Sequence, residues 1–435
     1  MGRINLKDLE TLLPGVEVRP AGPDLAVDGR PPAAVAFPRN REEVAALLRL
    51  AWGRELGVSP RGGGVYTHLG NPPRRLDLVV VTTGLDRVVE YEPADLTAVL
   101  EAGLTLARVQ EILGRNNQFL PLDPPCPERA TLGGILAAHQ SGPLRLGYGT
   151  ARDIVIGIKA VLADGTLIKS GGKVVKNVAG YDLNKLFIGS LGTVGVIVEA
   201  AFKVYPRPQA WGTAVGRFKA SEAAWDAVWR LRRSVFEPVA LELLGGSLGP
   251  GLSAGGWRLY ARYAGYGPAV ARQVRETCAI FGAAGGEAES LPDAEEAFWP
   301  ALRDLPVTWG PAWGVGAVIK AGMLPTRVPQ FIPAAEAAFG GRGLAWGWVV
   351  RAGVGLAYGY LEAPDRPTLA AAVEAARAAA RELGGYLVVE RADPDLKAAL
   401  DVWGPIGPEL ELMRRIKAEF DPKGILNPGR FVGGI

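Results

Sequence analysis

The chain has 435 residues, of which 48% are hydrophobic and 21% charged, so it is long enough for roughly two or three domains with buried cores. A net charge of +3 argues against nucleic-acid binding, and two cysteines exclude an iron–sulfur cluster, a cysteine-rich zinc site and a disulfide framework. The low number of cysteines favours the reducing cytoplasm as the location. Residues 1–20 lack the apolar core of a signal peptide, so no signal peptide is predicted. No transmembrane segment is predicted either, because the sequence has no long apolar run without a charge.

The first 205 residues alternate short apolar runs with helical patterns. Apolar spacing predicts a helix that begins after Asn40 and ends before Gly57. Further along, the pattern predicts strands over Leu76–Val81, Leu96–Glu101, Asp153–Leu162 and Val194–Val204, and a helix over Leu106–Leu113. The turn Ala163-Asp164-Gly165-Thr166 follows the third of these strands and is typical of a β-hairpin.

From about residue 210 the pattern changes to two successive rounds of strand, helix and strand. The predicted helices cover Ser221–Arg233, Gly267–Phe281, Val328–Phe339 and Thr368–Leu383, and the predicted strands include Trp257–Tyr263, Ala317–Ala321 and a pair within Ala345–Leu361. This order predicts a split βαβ domain of the ferredoxin-like type. A last helix, Pro408–Phe420, precedes a turn-rich segment that ends near Arg430.

Three consecutive glycines, Gly62, Gly63 and Gly64, follow a short predicted strand. Because glycine leaves the backbone N–H groups uncovered, such a loop can bind an anion, typically a diphosphate. The alternative is a loop that only requires positive φ angles. Two other glycine-rich segments, Gly189–Gly195 and Gly171–Val174, lack the spacing of a Rossmann fingerprint and of a P-loop.

The triplet belongs to an ordered series of motifs. They are Arg61-Gly62-Gly63-Gly64, Asp123-Pro124, Ala130-Thr131-Leu132-Gly133-Gly134, Tyr148-Gly149-Thr150-Ala151-Arg152-Asp153, Ala163-Asp164-Gly165 and Leu186–Ile197. This series resembles the FAD-binding domain of the vanillyl-alcohol oxidase, or PCMH-type, family. The ending Phe420–Gly429 resembles the C-terminal end of FAD-linked oxidases, and Gly171–Asp182 is most similar to the glycolate oxidase FAD-binding subunit.

The resemblance implies a set of residues that bind FAD. They are Pro60, Arg61, Gly62, Gly63, Gly64 and Val65 at the pyrophosphate, together with Pro124, Thr131, Gly133, Gly134, Ser141, Gly142, Tyr148, Gly149, Asp153, Ile197 and Asn427. Members with covalently attached FAD commonly carry a histidine after the glycines. Val65 takes that position here, so non-covalent FAD is expected.

The catalytic residues are harder to assign. Related 2-hydroxy-acid dehydrogenases carry a His-x-Gly-Asp-Gly-Asn-x-His stretch and a Gly-Glu-His-Gly-Ile-Gly stretch, whose histidines supply a metal site and a base. The corresponding places here begin at Arg351 and Val388, and no histidine follows His139. The remaining candidates are His68, Lys176, Lys320 and Arg351. A hydrogen-bonded loop or surface position explains His68 better than a catalytic role, and a salt-linked surface loop explains Lys176 equally well. A solvated sheet face explains Lys320 and Arg351 at least as well as a carboxylate clamp, and no metal site is expected.

The resemblance implies an α+β fold with three parts: a two-subdomain PCMH-type FAD-binding domain (1–207), a ferredoxin-like α/β cap (208–395), and a C-terminal segment (396–435) that packs back on the FAD domain. It implies an FAD-binding subunit of a glycolate (2-hydroxy-acid) oxidase complex, with a catalytic FAD subunit and an iron–sulfur subunit as partners and membrane association only through them. Two alternatives stay open: a catalytically silent scaffold subunit and a stand-alone FAD-dependent oxidase.

Overall fold

The computed structural model describes residues 11–172, 181–248, 252 and 255–435. Two compact units divide the chain. The first comprises Met1–Ser141, Thr150–Arg207 and Pro405–Ile435, and the second comprises Gly142–Gly149 and Pro208–Gly404. The C-terminal residues thus pack with the N-terminal part of the chain, and eight residues of the N-terminal half pack with the second unit.

The α-helices are, in chain order, α1 (Arg41–Arg54), α2 (Leu106–Gly114), α3 (Leu132–Ala138), α4 (Arg145–Tyr148), α5 (Ala151–Ile154), α6 (Asn184–Phe187), α7 (Ser221–Arg232), α8 (Gly267–Ala283), α9 (Phe298–Thr308), α10 (Val328–Phe339), α11 (Arg366–Glu382), α12 (Pro394–Ala399) and α13 (Glu409–Phe420). Asparagine or threonine side chains cap the first three of these helices, as at Asn40, whose Oδ1 accepts a hydrogen bond from the Glu43 amide at 2.9 Å.

The strands of the first unit are β1 (Glu17–Arg19), β2 (Ala34–Phe37), β3 (Val58–Arg61), β4 (Leu78–Val81), β5 (Val88–Glu92), β6 (Thr97–Glu101), β7 (Gln118–Phe119), β8 (Val155–Val161), β9 (Leu167–Gly171), β10 (Val196–Lys203) and β11 (Tyr205–Pro206). The strands of the second unit are β12 (Ala210–Phe218), β13 (Ala240–Gly246), β14 (Trp257–Gly265), β15 (Glu287–Ser290), β16 (Val315–Gly322), β17 (Ala345–Arg351), β18 (Leu356–Ala363) and β19 (Tyr386–Ala392).

The first unit contains two main sheets. One has the order β1-β2-β4-β3, in which β2, β4 and β3 are parallel, and the other is the antiparallel sheet β5-β6-β10-β8-β9. A shared apolar core joins them, since Val44 and Leu48 of α1 pack in one cluster with Val80 of β4 and Val196 of β10. The parallel sheet matters most for function, because β3 leads directly into the glycine triplet.

The second unit is built on one antiparallel sheet with the order β15-β12-β14-β13-β17-β18-β16-β19. Each half of this order is the 4-1-3-2 arrangement of a ferredoxin-like βαββαβ fold, and β13 pairs with β17 to join the halves. The ferredoxin-like prediction is therefore confirmed, twice over in one continuous sheet.

The two faces of this sheet are covered differently. Helices α7, α8, α10 and α11 bury one face, on which Leu243, Val350 and Leu361 lie. The opposite face packs against Trp299, Leu302 and Leu305 of α9 through residues such as Tyr260, Val349 and Tyr360. Because side chains alternate along a strand, residues adjacent to the helix-covered set point to this second face.

Most element predictions agree with the structure to within a few residues. At Asp153–Leu162 the element type also differs, because the first two residues belong to the short helix α5 rather than to β8. Asp153 belongs to a helical turn because its carboxylate accepts hydrogen bonds from the Thr150 amide (2.7 Å) and the Thr150 hydroxyl (3.0 Å). The strand therefore begins only after this turn.

Candidate functional site

The glycine triplet lies at the C-terminal end of β3, where the chain leaves the parallel sheet of the first unit. A Cβ atom at Gly62 would collide with the Thr131 hydroxyl, and one at Gly63 would collide with the carbonyl oxygen of Arg129. Gly64 has a φ of +76° and lies against the Arg61 guanidinium. Three glycines are therefore required here by close packing and by one left-handed backbone conformation.

Thr131 connects this loop to helix α3. It is the N-cap residue of α3, and its Oγ1 accepts a hydrogen bond from the Gly134 amide at 3.3 Å. The backbone amides of the two preceding residues, Arg129 and Ala130, both donate hydrogen bonds to the Cys126 carbonyl. The glycine loop and the start of α3 consequently pack together and form one wall.

Arg61 brings a partly buried positive charge into this wall. Burial lowers the pKa of its guanidinium, with Asp24 acting in the opposite direction and Arg129 in the same direction as burial. Its Nη1 atom is buried and has no hydrogen-bond partner among the described residues. A buried guanidinium nitrogen without an acceptor is costly, so this atom is poised for an anionic ligand.

Asn427 reaches the same place from the C-terminus. Its amide donates to the Val58 carbonyl at 2.8 Å, and its Nδ2 donates to the Leu191 carbonyl at 2.5 Å. The residue adopts a positive φ of 44°, and its Oδ1 is buried without a hydrogen-bond donor among the described residues. Asn427 therefore presents an unused acceptor beside the β3 wall.

Two ionic contacts hold the C-terminal segment in position. Lys417 Nζ lies 2.6 Å from Asp421 Oδ2 and also donates to the carbonyls of Thr193 (2.7 Å) and Leu426 (3.0 Å). Asp421 in turn accepts from the amides of Ile425 (3.1 Å) and Leu426 (2.8 Å). These bonds fix the turn immediately before Asn427.

Arg430 forms the second contact. Its Nη2 donates to the carbonyls of Thr67 (2.7 Å) and Leu69, and its Nη1 lies 3.6 Å from Asp28 Oδ2. Burial lowers the pKa of Arg430, while Asp28 opposes that effect. The segment after the glycine loop is thereby tied to the C-terminal turn.

These parts surround an open cleft with a volume of about 560 Å³ in the first unit. Sequence-predicted cofactor residues that line it are Pro60, Arg61, Gly62, Gly63, Gly64, Val65, Thr131, Gly134 and Asn427. Lining residues that the sequence reasoning missed include Tyr66, Thr67, Arg129, Leu191 and Arg430. Tyr66 and Thr67 follow Val65, the first residue after the glycines, so their position in the chain was the available signal.

The other predicted cofactor residues lie elsewhere. Pro124, Gly133, Ser141, Asp153 and Ile197 belong to the first unit but do not line this cleft, and Gly142, Tyr148 and Gly149 belong to the second unit. Gly133 has a clear structural reason, because its amide donates to the Ala102 carbonyl at 2.7 Å and a Cβ would meet Ala102. The structure thus brings together the glycine loop, the start of α3 and Asn427.

The catalytic candidates divide between the two units. His68 is half-buried, one residue beyond the cleft-lining Thr67. Lys176 lies outside the described residues. In the second unit, Lys320 forms an ion pair with Glu390, and Arg351 Nε lies 4.0 Å from Glu242 Oε1. Among the described residues, no cluster of His, Cys, Asp and Glu could hold a metal ion.

Two family models match this chain. Residues 32–171 match the FAD binding domain, and residues 207–431, more than half of the chain, match the C-terminal domain of FAD linked oxidases. The chain belongs to the FAD-linked oxidases. Its cofactor is FAD, and the PCMH-type fold expected from the sequence is confirmed.

Curated relatives include subunits of one kind of oxidase. Glycolate oxidase subunit GlcD of Bacillus subtilis is 34% identical over 49% of this chain and 45% of its own length. Glycolate oxidase subunit GlcE of Escherichia coli is 38% identical over 33% of this chain and 42% of its own length. Each match spans less than half of the relative.

Solved structures share the fold over nearly the whole chain. P-cresol methylhydroxylase, solved with substrate bound, has a TM-score of 0.68 at 19% identity and covers 92% of this chain and 88% of that chain. At this identity the likeness concerns the fold alone. In the part of the chain that the structure describes, no helix is long and apolar enough to cross a membrane.

The cleft of the first unit fits the cofactor. Its bare glycine amides and the buried Arg61 Nη1 suit a diphosphate, and Asn427 Oδ1 offers an acceptor to a hydrogen-bonding ring or sugar. A Cβ at either of the first two glycines would displace the wall that forms this surface. These residues would hold FAD in this cleft.

Proposed function

We propose that this FAD-linked oxidase acts on the CH–OH group of a small 2-hydroxy acid, as one subunit of a multi-subunit glycolate oxidase-type complex. The observation that carries the proposal is the coincidence of the FAD cleft with similarity to two different glycolate oxidase subunits. The family model for the C-terminal domain supports the oxidoreductase class independently of those two relatives.

The protein's own part in this reaction begins with cofactor binding. Bound FAD supplies a hydride acceptor for the carbinol carbon. The amides of Gly62 to Gly64 and the Arg61 guanidinium would neutralise the FAD diphosphate, while Asn427 would hold the cofactor from the C-terminal side. Val65, buried at 5% exposure where covalent relatives carry a histidine, supports non-covalent attachment.

The electrons must then leave this chain. Cys126 and Cys278 are the only cysteines, too few to ligate an iron–sulfur cluster. We therefore propose a second FAD subunit and an iron–sulfur subunit as partners. The likeness to both GlcD and GlcE supports such an assembly.

A second candidate is a subunit that binds FAD but does not itself oxidise the 2-hydroxy acid. The observation that favours it is the occupancy of the two histidine places of the His-x-Gly-Asp-Gly-Asn-x-His stretch by Arg351 and Tyr358. Without a histidine base in the second unit, proton removal from the hydroxyl would need a group supplied by a partner.

An anaerobic spectrum distinguishes these candidates. The purified FAD-loaded chain is mixed with glycolate or D-lactate, first alone and then with its partner subunits, and the flavin absorbance is followed. Loss of the oxidised flavin absorbance that depends on the 2-hydroxy acid, with or without the partner subunits, supports the proposal. Loss that occurs only with the partner subunits shows that this chain relays electrons and does not oxidise the acid by itself. Flavin that stays oxidised in both arms contradicts the proposal.

A further inference from the structure

A cavity that the proposed function leaves unassigned lies in the second unit, beside the C-terminal end of β18. Its volume is about 1010 Å³, and Trp309, Trp313, Tyr360 and Glu362 line it together with leucine, alanine, glycine, serine and threonine residues. Among the described residues that line it, Glu362 alone carries a charge. The cavity therefore combines aromatic walls with a single carboxylate.

The strand register explains why there is space around this carboxylate. Tyr360 and Glu362 stand two residues apart on β18, so both side chains point to the same face of the sheet. On the neighbouring strands, Glu362 pairs with Gly316 of β16 and with Ala345 of β17. Because glycine has no side chain and alanine has only a methyl group, the floor around Glu362 is open.

Gly316 also makes room for the first aromatic wall. A Cβ atom there would lie 3.0 Å from Cη2 of Trp309, so the indole takes the place of a side chain. The ring centres of Trp309 and Tyr360 are 5.6 Å apart and their planes are inclined at 63°, so the two rings form a corner. Trp313, which is 43% exposed, lines the same cavity. Three aromatic side chains thus border one space, as in sites that bind alkylammonium groups.

Hydrogen bonds to the backbone hold these groups in place. The Ala312 amide donates to Glu362 Oε1 at 2.9 Å, which links the carboxylate to the segment between the two tryptophans. Arg391 donates to the carbonyls of Val307 and Trp309 at the end of α9, and it does not line the cavity. No described lining residue therefore balances the charge of Glu362.

We infer that this cavity binds a small organic cation, an alkylammonium ion whose charge meets Glu362 and whose alkyl groups contact the three aromatic rings. Tryptophan and tyrosine ring faces attract cations, most strongly where water is excluded. A single carboxylate among apolar groups offers too few oxygen ligands for a divalent metal. An anion such as a 2-hydroxy acid would be repelled by Glu362. The inference therefore goes beyond the proposed function, because it assigns a second ligand of opposite charge to the substrate.

Calorimetry of the FAD-loaded full chain with choline tests this inference, because choline keeps its positive charge at every pH. The neutral comparison is dimethylbutanol, in which a carbon atom replaces the ammonium nitrogen and the shape stays the same. We expect this neutral isostere to bind at least about tenfold more weakly than choline. Glycolate is expected not to displace choline.

Two variants locate the binding site. Glu362→Gln removes the charge but keeps an oxygen for the Ala312 amide, and it is expected to weaken choline binding at least about tenfold while leaving binding of the isostere unchanged. Trp313→Leu keeps an apolar surface and should also weaken choline binding more than binding of the isostere. Glu287→Gln, at an exposed glutamate of the same sheet, is the matched control and should bind choline as the wild type does.

Four results would overturn the inference: no choline binding, equal binding of choline and its isostere, displacement of choline by glycolate, or choline binding that Glu362→Gln leaves intact. Thermal unfolding shows whether each variant folds. If Glu362→Gln does not fold, unchanged choline binding by Trp313→Leu overturns the inference instead. Flavin absorbance plays no part in this titration, so its outcome is separate from that of the test of the proposed function.

Discussion

Lys417 and Asp421 form a buried ion pair one helical turn apart at the end of α13, with Nζ and Oδ2 separated by 2.6 Å. Asp421 is fully buried, and both residues also bond to the backbone of the turn that ends at Asn427. Burial lowers the pKa of Lys417, and the Asp421 carboxylate opposes this by favouring the charged form. The ion pair therefore stabilises the C-terminal segment and also holds the cleft residue Asn427 in position.

Replacing Lys417 with methionine is expected to be strongly destabilising, because it leaves the Asp421 carboxylate buried without its cation. The expected cost is about 3–5 kcal/mol in the free energy of unfolding, measured by urea denaturation. Arg415→Met, in the exposed Arg415–Glu411 pair of the same helix, is the control and should cost less than about 1 kcal/mol. Equal losses in the two variants would show that the Lys417 pair has no special role.

Adding one methyl group at Gly63 is expected to damage FAD binding. The new Cβ would collide with the Arg129 carbonyl oxygen, which belongs to the backbone and cannot move without shifting the start of α3. We expect the affinity of Gly63→Ala for FAD to fall at least about tenfold, equivalent to about 1.4 kcal/mol, in a fluorescence-quenching titration.

The matched control for that substitution is Gly53→Ala in helix α1, where a Cβ meets no atom within 4 Å. It should leave FAD binding unchanged and stabilise the helix by up to about 1 kcal/mol. If Gly63→Ala binds FAD as tightly as this control, the glycine loop does not form the cofactor wall.

Arg61→Met tests the electrostatic part of the cleft. Removing the guanidinium eliminates the buried Nη1 donor, and a charge-assisted hydrogen bond contributes about 1.5–3 kcal/mol, so FAD affinity should fall roughly tenfold to a hundredfold. The loss should shrink as salt is added. Arg19→Met removes an exposed arginine and serves as the control, and the hypothesis fails if both variants keep wild-type affinity.

Tyr263 gives a prediction for alkaline pH. Its hydroxyl lies 2.6 Å from Thr277 Oγ1 in the core, and burial raises its pKa to about 12, with the Thr277 hydrogen bond acting in the opposite direction. Above pH 10 the unfolded chain releases this proton while the folded chain keeps it. The wild type therefore loses stability from this residue as pH rises, by up to about 1.4 kcal/mol per pH unit.

Tyr263→Phe should cost about 1 kcal/mol near neutral pH, where it removes a buried hydrogen bond. The stability gap between wild type and variant should then narrow by about 1 kcal/mol between pH 9 and pH 11, because the variant has no proton to lose. Denaturant unfolding at both pH values measures the gap. A gap that stays constant would refute the pKa assignment of Tyr263.

The motifs predicted the FAD domain because its contacts come from short, contiguous segments. Gly62 to Gly64 are adjacent in sequence and have one physical role, so their chemistry is visible without the fold. Asn427 was found for the same reason, since its turn sequence is characteristic of FAD-linked oxidases.

The roles of Glu242 and Glu390 could not be found in this way. Glu242 lies beside Arg351 and Glu390 pairs with Lys320, and in both cases the two residues are on neighbouring strands that are far apart in the sequence. A single sequence does not show which strands pair. Lys417 lies on a predicted helix and Asp421 directly follows it, but the pair was missed because the pattern does not show that this end of the helix is buried. The packing of Gly142–Gly149 with the second unit was also beyond a pattern-based division of the chain.

The most direct test of this account is an FAD titration of the purified chain, followed by flavin absorbance and isothermal calorimetry. We expect one FAD bound per chain, released intact by denaturation because it is not covalently attached, with weaker binding in Gly63→Ala and Arg61→Met. A chain that binds no FAD, or that binds it with the same affinity after both substitutions, would contradict the assignment of this cleft as the flavin site.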